Sequence, residues 1–306
     1  MEAWLKDPFF FGEEILNSLH IFAGSWLDYL MVAITFLGNQ MFYVIILPIA
    51  YWTWDKKTTL KIGVIFLLSA AANSWLKDLW HNPRPDAANL LPGIKELNQA
   101  WLPKKSPGFP SGHTQGAVAF WGPVFYYIRK KPVMITAACL ILLIPYSRIY
   151  LGVHYLGDVL GGFVIGLFIL AAGLPANSWF EKHWETISGL VILITLTTLP
   201  LAMLFMAPST HIAQPLAVFS AMLCGAYLAH NRIAFNPRGS FTSGLIKVIG
   251  GLLVIMIIKA GLKPLLPATP TGAYFRYWLI GFWVSFGAPL LFSRFELLRG
   301  NDIQEG

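Results

Sequence analysis

The sequence predicts an all-α fold, a polytopic membrane helix bundle of about ten transmembrane helices, and three properties carry that prediction. Of the 306 residues 56% are hydrophobic and only 12% are charged, about half the roughly 25% that covers the surface of a soluble domain. The mean hydropathy is +0.60. The apolar residues gather into ten runs, near 21–38, 40–54, 59–80, 113–128, 132–148, 154–174, 187–206, 213–230, 244–262 and 273–292, and a spanning helix needs about 20 such residues. A soluble globular protein and a disordered chain are both excluded. Aromatic residues reach 15%, which suits helices anchored at membrane interfaces.

Residues 1–20 mix Glu2, Lys6, Asp7, Glu13 and Glu14 with Trp4, Leu5, Phe9, Phe10, Phe11, Ile15, Leu16 and Leu19. They offer no small-residue cleavage site and read as an amphipathic segment at the interface, a lid or an anchor. Residues 21–180 hold the first six runs. The second of these runs is short, and Gly38-Asn39-Gln40 forces a break before it. Were it re-entrant, the parity of the loops would change. Residues 81–112 form the longest connection, rich in Pro, Asn and Gly, and so are read as either functional or disordered. Residues 181–306 carry the last four runs, expected to shape a lateral entrance, to support the core or to make a homodimer.

Lys and Arg number 22 against 15 Asp and Glu, a net charge of +7. No basic helix or aromatic-basic motif is present for nucleic acid, so the excess is assigned to the positive-inside bias of membrane proteins. With ten spans, thirteen of the 22 fall on one side: Lys6, Lys56, Lys57, Lys61, Arg129, Lys130, Lys131, Lys182, Arg232, Arg238, Lys247, Arg294 and Arg299. The other side holds Lys77, Arg84, Lys95, Lys104, Lys105, Arg148, Lys259, Lys263 and Arg276. This places both termini in the cytoplasm and the long loop on the opposite face. Cys139 and Cys224 lie in apolar runs and read as buried thiols, with no disulfide framework or cysteine-based zinc site. His20, His81, His183, His211 and His230 lack ligand spacing with carboxylates, so neither a metal nor a cofactor is expected.

Three segments share the long-loop face: Lys77 to Pro85, Pro110-Ser111-Gly112-His113, and Ser147 to Asp158. Singly, Lys77 reads as a snorkelling lysine, Pro110-Ser111-Gly112 as an ordinary helix start and His154 as an interfacial histidine. Asp158 resists such a reading, because a carboxylate at mid-membrane costs about 2.5–3.5 kcal/mol on insertion scales. His154 stands four residues before it, on the same face of a helix. The carboxylate can take the Nδ1 proton and leave Nε2 with a free lone pair. Lys77, Arg84 and Arg148 converge without evident acidic partners, which calls for an anion, and a phosphoryl group fits the charge and the fork of Arg. Amides of Ser111 and Gly112 at a helix start supply further donors. His113 is available for proton transfer. Residue chemistry alone leaves the order of the two histidines open.

The pattern Lys77-x6-Arg84-Pro85, Pro110-Ser111-Gly112-His113, Ser147-Arg148-x5-His154-x3-Asp158 resembles the three-part signature of the type 2 phosphatidic acid phosphatase superfamily at every position. The resemblance implies a six-span catalytic core over residues 21–180 and metal-independent phosphoester hydrolysis through a phosphohistidine. His154 would be the nucleophile, Asp158 its orienting partner and His113 the general acid and then base. Lys77, Arg84, Ser111, Gly112 and Arg148 would hold the phosphoryl oxygens. Phe36 to Tyr43, the run Ser147 to His154 and the four extra spans are similar to the sphingosine-1-phosphate phosphatase branch. Gly112 departs from it, since that branch typically has Thr there.

The implied function is hydrolysis of a lipid phosphomonoester, sphingoid-base phosphate, phosphatidate or lysophosphatidate, with the phosphorylated lipid and membrane lipids as partners. An undecaprenyl pyrophosphate phosphatase and a lipid phosphotransferase are alternatives with the same chemistry. A transporter is the non-enzymatic alternative, opposed by the gathering of the ions at one face. The expected location is a bacterial inner membrane or the endoplasmic reticulum, with the site facing the periplasm or lumen.

Overall fold

The computed structural model describes residues 7–19, 24–93, 95–96, 106–230 and 232–302. Glu2, Trp4, Leu5, Lys6, His20, Lys104 and Lys105, used above, lie outside the described residues. The elements are α1 (Pro8–Phe11), α2 (Glu14–Leu19), α3 (Ser25–Phe36), α4 (Gln40–Thr53), α5 (Lys56–Trp80), α6 (Gly112–Tyr127), α7 (Lys131–Tyr150), α8 (Leu156–His183), α9 (Gly189–Met206), α10 (Thr210–Ala229), α11 (Phe241–Gly261), α12 (Pro270–Phe282) and α13 (Ala288–Asp302), with a π-helical turn, Trp283–Gly287, joining the last two. No strand occurs among the described residues.

Each apolar run is helical, and local chemistry sets several starts. Ser111 caps α6, Ser240 caps α11 and Thr269 caps α12, each side-chain oxygen accepting from one of the first-turn amides that have no intrahelical partner. Pro132 and Pro270 occupy first-turn positions, where a missing N–H costs nothing. Among the described residues seven helices are long and apolar enough to cross a membrane, α12 counting together with the π turn and the start of α13. Helices α3 and α4, of 12 and 14 residues, meet at a bend of 54° and reach span length only as a pair. At 1.5 Å per residue each is about 18–21 Å long, short of the roughly 30 Å hydrocarbon core. Helix α6 has 16 residues, about 24 Å by the same rise.

The chain forms two compact units. The first comprises Met1–Tyr43 and Ala72–Ala176, the second Val44–Ala71 and Asn177–Gly306. In the first, Met31 and Ile34 of α3 pack with Ala117 of α6, Leu140 and Ile144 of α7, and Tyr150, Leu151 and Val153. A second cluster joins Leu16 of α2 to Leu90, Ile149, Tyr155 and Val159. Residues 8–19 therefore sit against the loops at the end of the bundle that carries the predicted site.

In the second unit, Tyr51 and Trp52 of α4 pack with Ile233, Phe235, Ile255, Ile280, Val284, Ala288 and Phe292. The π turn leaves carbonyls outside the α-helical ladder. Trp52 Nε1 donates to Val284 O at 2.9 Å and Tyr51 Oη to Ser285 O at 3.4 Å. A Cβ at Gly251 would stand 2.2 Å from the Trp52 ring, so the indole lies directly on the α11 backbone.

Candidate active site

Helix α5 ends by placing Lys77 in its last turn, buried, where Nζ donates to Gly108 O at 3.1 Å and to Pro107 O. The chain then leaves the helix at His81, whose φ is 49°. Arg84 follows in an extended stretch. Its Nε donates to Ser106 O at 2.8 Å, Nη2 to Ser106 Oγ at 3.1 Å, and Nη1 to Val153 O at 3.0 Å and to His154 Nε2 at 3.1 Å. One guanidinium thus ties the long loop to the segment before α8.

Ser111 is fully buried at the start of α6, and its amide donates to Asp158 O at 2.9 Å. Its hydroxyl accepts from Thr114 N and Thr114 Oγ1, at 3.4 and 3.0 Å. Gly112 and His113 form the first turn, whose amides have no intrahelical acceptors. The approach of α6 to α8 needs glycine: a Cβ at Gly162 would stand 2.6 Å from Ser111 O and one at Gly161 2.2 Å from the Phe109 ring. A Cβ at Gly112 would stand 2.9 Å from Asn73 Oδ1, so this position has no room for the Thr of the branch it resembles unless Asn73 moves.

Arg148 lies in the last turn of α7, buried, with Nη1 donating to Thr35 Oγ1 of α3 at 2.7 Å. After Tyr150 the chain turns through Gly152, at φ 61°, and α8 begins only at Leu156. His154 therefore stands in the turn and not on the helix face, which corrects the shared-face expectation, although the predicted pair forms. Its Nδ1 lies 3.0 Å from Asp158 Oδ2, with His154 1% and Asp158 0% exposed. The same carboxylate oxygen accepts from Tyr155 N at 3.1 Å.

The tautomer follows from the partners. A guanidinium can only donate, so His154 Nε2 is an acceptor, and Nδ1 carries the proton given to Asp158. Burial holds the His154 imidazole well below its usual range, and Arg84, Arg148, Lys77 and His113, in that order, push it further toward the neutral form. Burial also lowers the guanidinium of Arg84, an effect opposed by Asp158. Three cations against one carboxylate leave an excess of about two positive charges, matching a phosphomonoester dianion.

All eight predicted residues thus gather at one end of the first unit. Sequence reasoning missed Thr35, Ser106, Asn73 and Gln115. Asn73 Nδ2 donates to Pro110 O at 3.2 Å and to Gln115 Oε1 at 2.8 Å, bracing the start of α6. Two amide side chains in apolar runs were a usable signal; Thr35 gave none. Among the described residues no three His, Cys, Asp or Glu side chains are grouped as a metal would require.

Fold and site define a membrane-embedded helical protein with three cations gathered around a buried histidine whose Nε2 lone pair is held by one of them, Arg84. The model of the PAP2 superfamily matches residues 58–182, and that of the PAP2 superfamily phosphatase transmembrane extension matches residues 213–301. The chain is 31% identical over 174 residues to phosphatidylglycerophosphatase B of Bacillus subtilis, covering 51% of this chain and 78% of that one. It is 22% identical to lipid phosphate phosphatase delta of Arabidopsis thaliana (85% of this chain, 68% of that one) and 24% identical to sphingosine-1-phosphate phosphatase 1 of Rattus norvegicus (78% and 60%). Among solved structures, that of a transmembrane PAP2-type phosphatidylglycerolphosphate phosphatase from Bacillus subtilis is 28% identical, with a TM-score of 0.43, covering 58% of this chain and 86% of that one. The chain belongs to the PAP2 superfamily and is a multi-pass membrane phosphatase.

Proposed function

We propose that this protein hydrolyses a lipid phosphomonoester, with His154 as nucleophile. The observation that carries the reading is the pairing of His154, Nδ1 on Asp158 and Nε2 on Arg84. A phosphoryl group entering between Arg84, Lys77 and Arg148 takes over the guanidinium and frees the Nε2 lone pair. Nε2 then attacks phosphorus, the bond to the lipid oxygen breaks, and His113, which takes up a proton once the bound phosphoryl charge offsets the burial and the three cations that otherwise hold it neutral, gives that oxygen its proton. Asp158 stabilises the imidazolium character that develops on His154. In the second half His113 takes a proton from water, whose oxygen attacks phosphorus and releases phosphate from Nε2. Helix-start amides at Gly112 and His113 and the three cations hold the equatorial oxygens.

Relatives whose names specify glycerol-based and sphingoid-based lipid phosphates support a lipid alcohol as leaving group. The site is assigned to the non-cytoplasmic face. Counting α3 with α4 as one crossing moves only Lys6 between sides, so the bias among residues outside the motifs becomes twelve against seven and keeps its direction. Residues 8–19 then share the site's face, and the end of α13 lies in the cytoplasm.

The test is phosphate release by the detergent-purified protein with chelator present, across sphingosine-1-phosphate, phosphatidate, lysophosphatidate, phosphatidylglycerophosphate, undecaprenyl pyrophosphate and glucose-6-phosphate. Release from one lipid well above the others, abolished by His154→Ala, is expected. Undiminished release by His154→Ala sinks the mechanism, and a phosphorylated second lipid in place of free phosphate would assign the transferase alternative.

A further inference from the structure

Residues 8–19 touch the flanks of all three site segments. The Phe11 ring meets Phe109, just before Pro110-Ser111, at 6.2 Å and 62°, and Tyr155, just after His154, at 6.1 Å and 71°. Phe11 reaches that position because residue 157 is glycine; a Cβ there would stand 2.4 Å from the ring. Leu16 is fully buried against Leu90, Ile149, Tyr155 and Val159. Asn17 uses both ends of its amide on the loop that follows Arg84, donating to Asn89 O at 3.2 Å and accepting from Leu91 N at 3.1 Å. Tyr155 Oη donates to Glu13 Oε1 at 2.9 Å.

Tyr155 is therefore fixed at two points. Its phenol is held by Glu13, and its amide is on Asp158 Oδ2, the oxygen that also takes the His154 proton. Burial, reinforced by Glu13, raises the Tyr155 phenol and keeps it the donor of this bond. We propose that residues 8–19 form a strap across the site loops and that Glu13 is a positioning residue for the His154–Asp158 pair, acting through Tyr155. Without the Glu13 bond the Tyr155 backbone relaxes, Asp158 loses one of its orienting donors, and the imidazole is no longer held for attack. The inference rests on the hydrolytic reading above.

The experiment compares the full-length protein with Glu13→Ala, Glu13→Gln, Tyr155→Phe and the Glu13→Ala/Tyr155→Phe double variant, on whichever lipid of the panel the unaltered protein hydrolyses fastest. Glu13→Ala and Tyr155→Phe are each expected to lower kcat about tenfold, the scale of one lost hydrogen bond to a charged group, while KM changes less than twofold. The double variant should be no slower than the slower single one, since both remove the same bond. Glu13→Gln, which keeps an acceptor oxygen, should retain at least half of kcat. A turnover-independent readout is the low-field Nδ1 proton resonance of His154, assigned by its loss in His154→Ala, which should shift or broaden in Glu13→Ala and Tyr155→Phe. Unchanged kcat and an unchanged resonance in Tyr155→Phe overturn the proposal, and because that substitution is nearly isosteric it decides alone should Glu13→Ala not fold. An unaltered protein silent on every lipid overturns the hydrolytic reading instead, leaving the resonance to judge the strap.

Discussion

Gly108→Ala adds a single methyl group to the site and tests how tightly the carboxylate of Asp158 is caged. The new Cβ would stand 2.9 Å from Asp158 Oδ2 and 2.9 Å from Pro83 O, against the 3.4 Å at which ordinary contact begins, so about 0.5 Å of movement is required. The loop has little freedom to supply it: Gly108 N donates to Asn82 O at 2.7 Å and Gly108 O accepts from Lys77. The carboxylate is then the group that shifts, stretching its 3.0 Å contact with His154 Nδ1 toward about 3.5 Å, where a hydrogen bond is effectively lost. A bond to a charged group contributes about 1.5–3 kcal/mol. At about 1.36 kcal/mol per decade of rate, kcat should fall roughly 10- to 150-fold. The assay is phosphate release with chelator present, normalised to monodisperse protein on size exclusion. Gly250→Ala, where a Cβ meets nothing within 4 Å, serves as control and should stay within twofold. A Gly108→Ala variant also within twofold would falsify the claim that this loop sets the carboxylate's position.

Asp158→Asn should keep its acceptor oxygen toward Tyr155 N but lose the charge that supports a developing imidazolium, lowering kcat at least tenfold with protein yield unchanged; equal kcat would remove Asp158 from the mechanism. Thr35→Val is nearly isosteric and strips Arg148 Nη1 of its acceptor, in a guanidinium whose Nε already lacks a partner among the described residues. A drop of about tenfold in kcat/KM is expected from a cost near 1–3 kcal/mol, and no change would show that Arg148 is held by other means. Because burial and the surrounding cations depress the His154 pKa below the usual value of about 6.5, the folded state binds fewer protons there than the unfolded one. Its contribution to stability is complete above about pH 6.5 and declines as pH falls below that. Nitrogen-15 imidazole spectra should show His154 still neutral at pH 6, and a half-protonated ring at that pH would contradict the packing.

Much of the site is legible in the sequence because charged and polar residues are conspicuous against apolar runs. Lys77, Arg148 and Asp158 could not stand in helices of this hydropathy without partners, and the partners were the other members of the three segments. What sequence could not supply depends on contacts across the fold. Asn39 and Gln40 mark a break, yet the lengths of α3 and α4 and the 54° bend between them emerge only in the folded chain. Nothing about Thr35 distinguishes it from any other helical threonine until α3 lies beside Arg148. Glu13 reads as one acid among several in an amphipathic stretch until Tyr155 is found opposite it. The displacement of His154 from the helix was hidden too, since a spacing of four holds both in a helix and in a turn closed by an aspartate.

The π turn at Trp283–Gly287 carries one residue more than an α-helical turn would. Deleting a residue there would restore a regular ladder and rotate all of α13 by about 100°. Phe292, now edge-on to Trp52 at 5.9 Å, would swing out toward lipid, and the carbonyl that receives the indole N–H would turn back into the helix. The insertion thus acts as a phase marker for α13: its presence, more than any side chain beyond it, determines which face of that helix is read as interior.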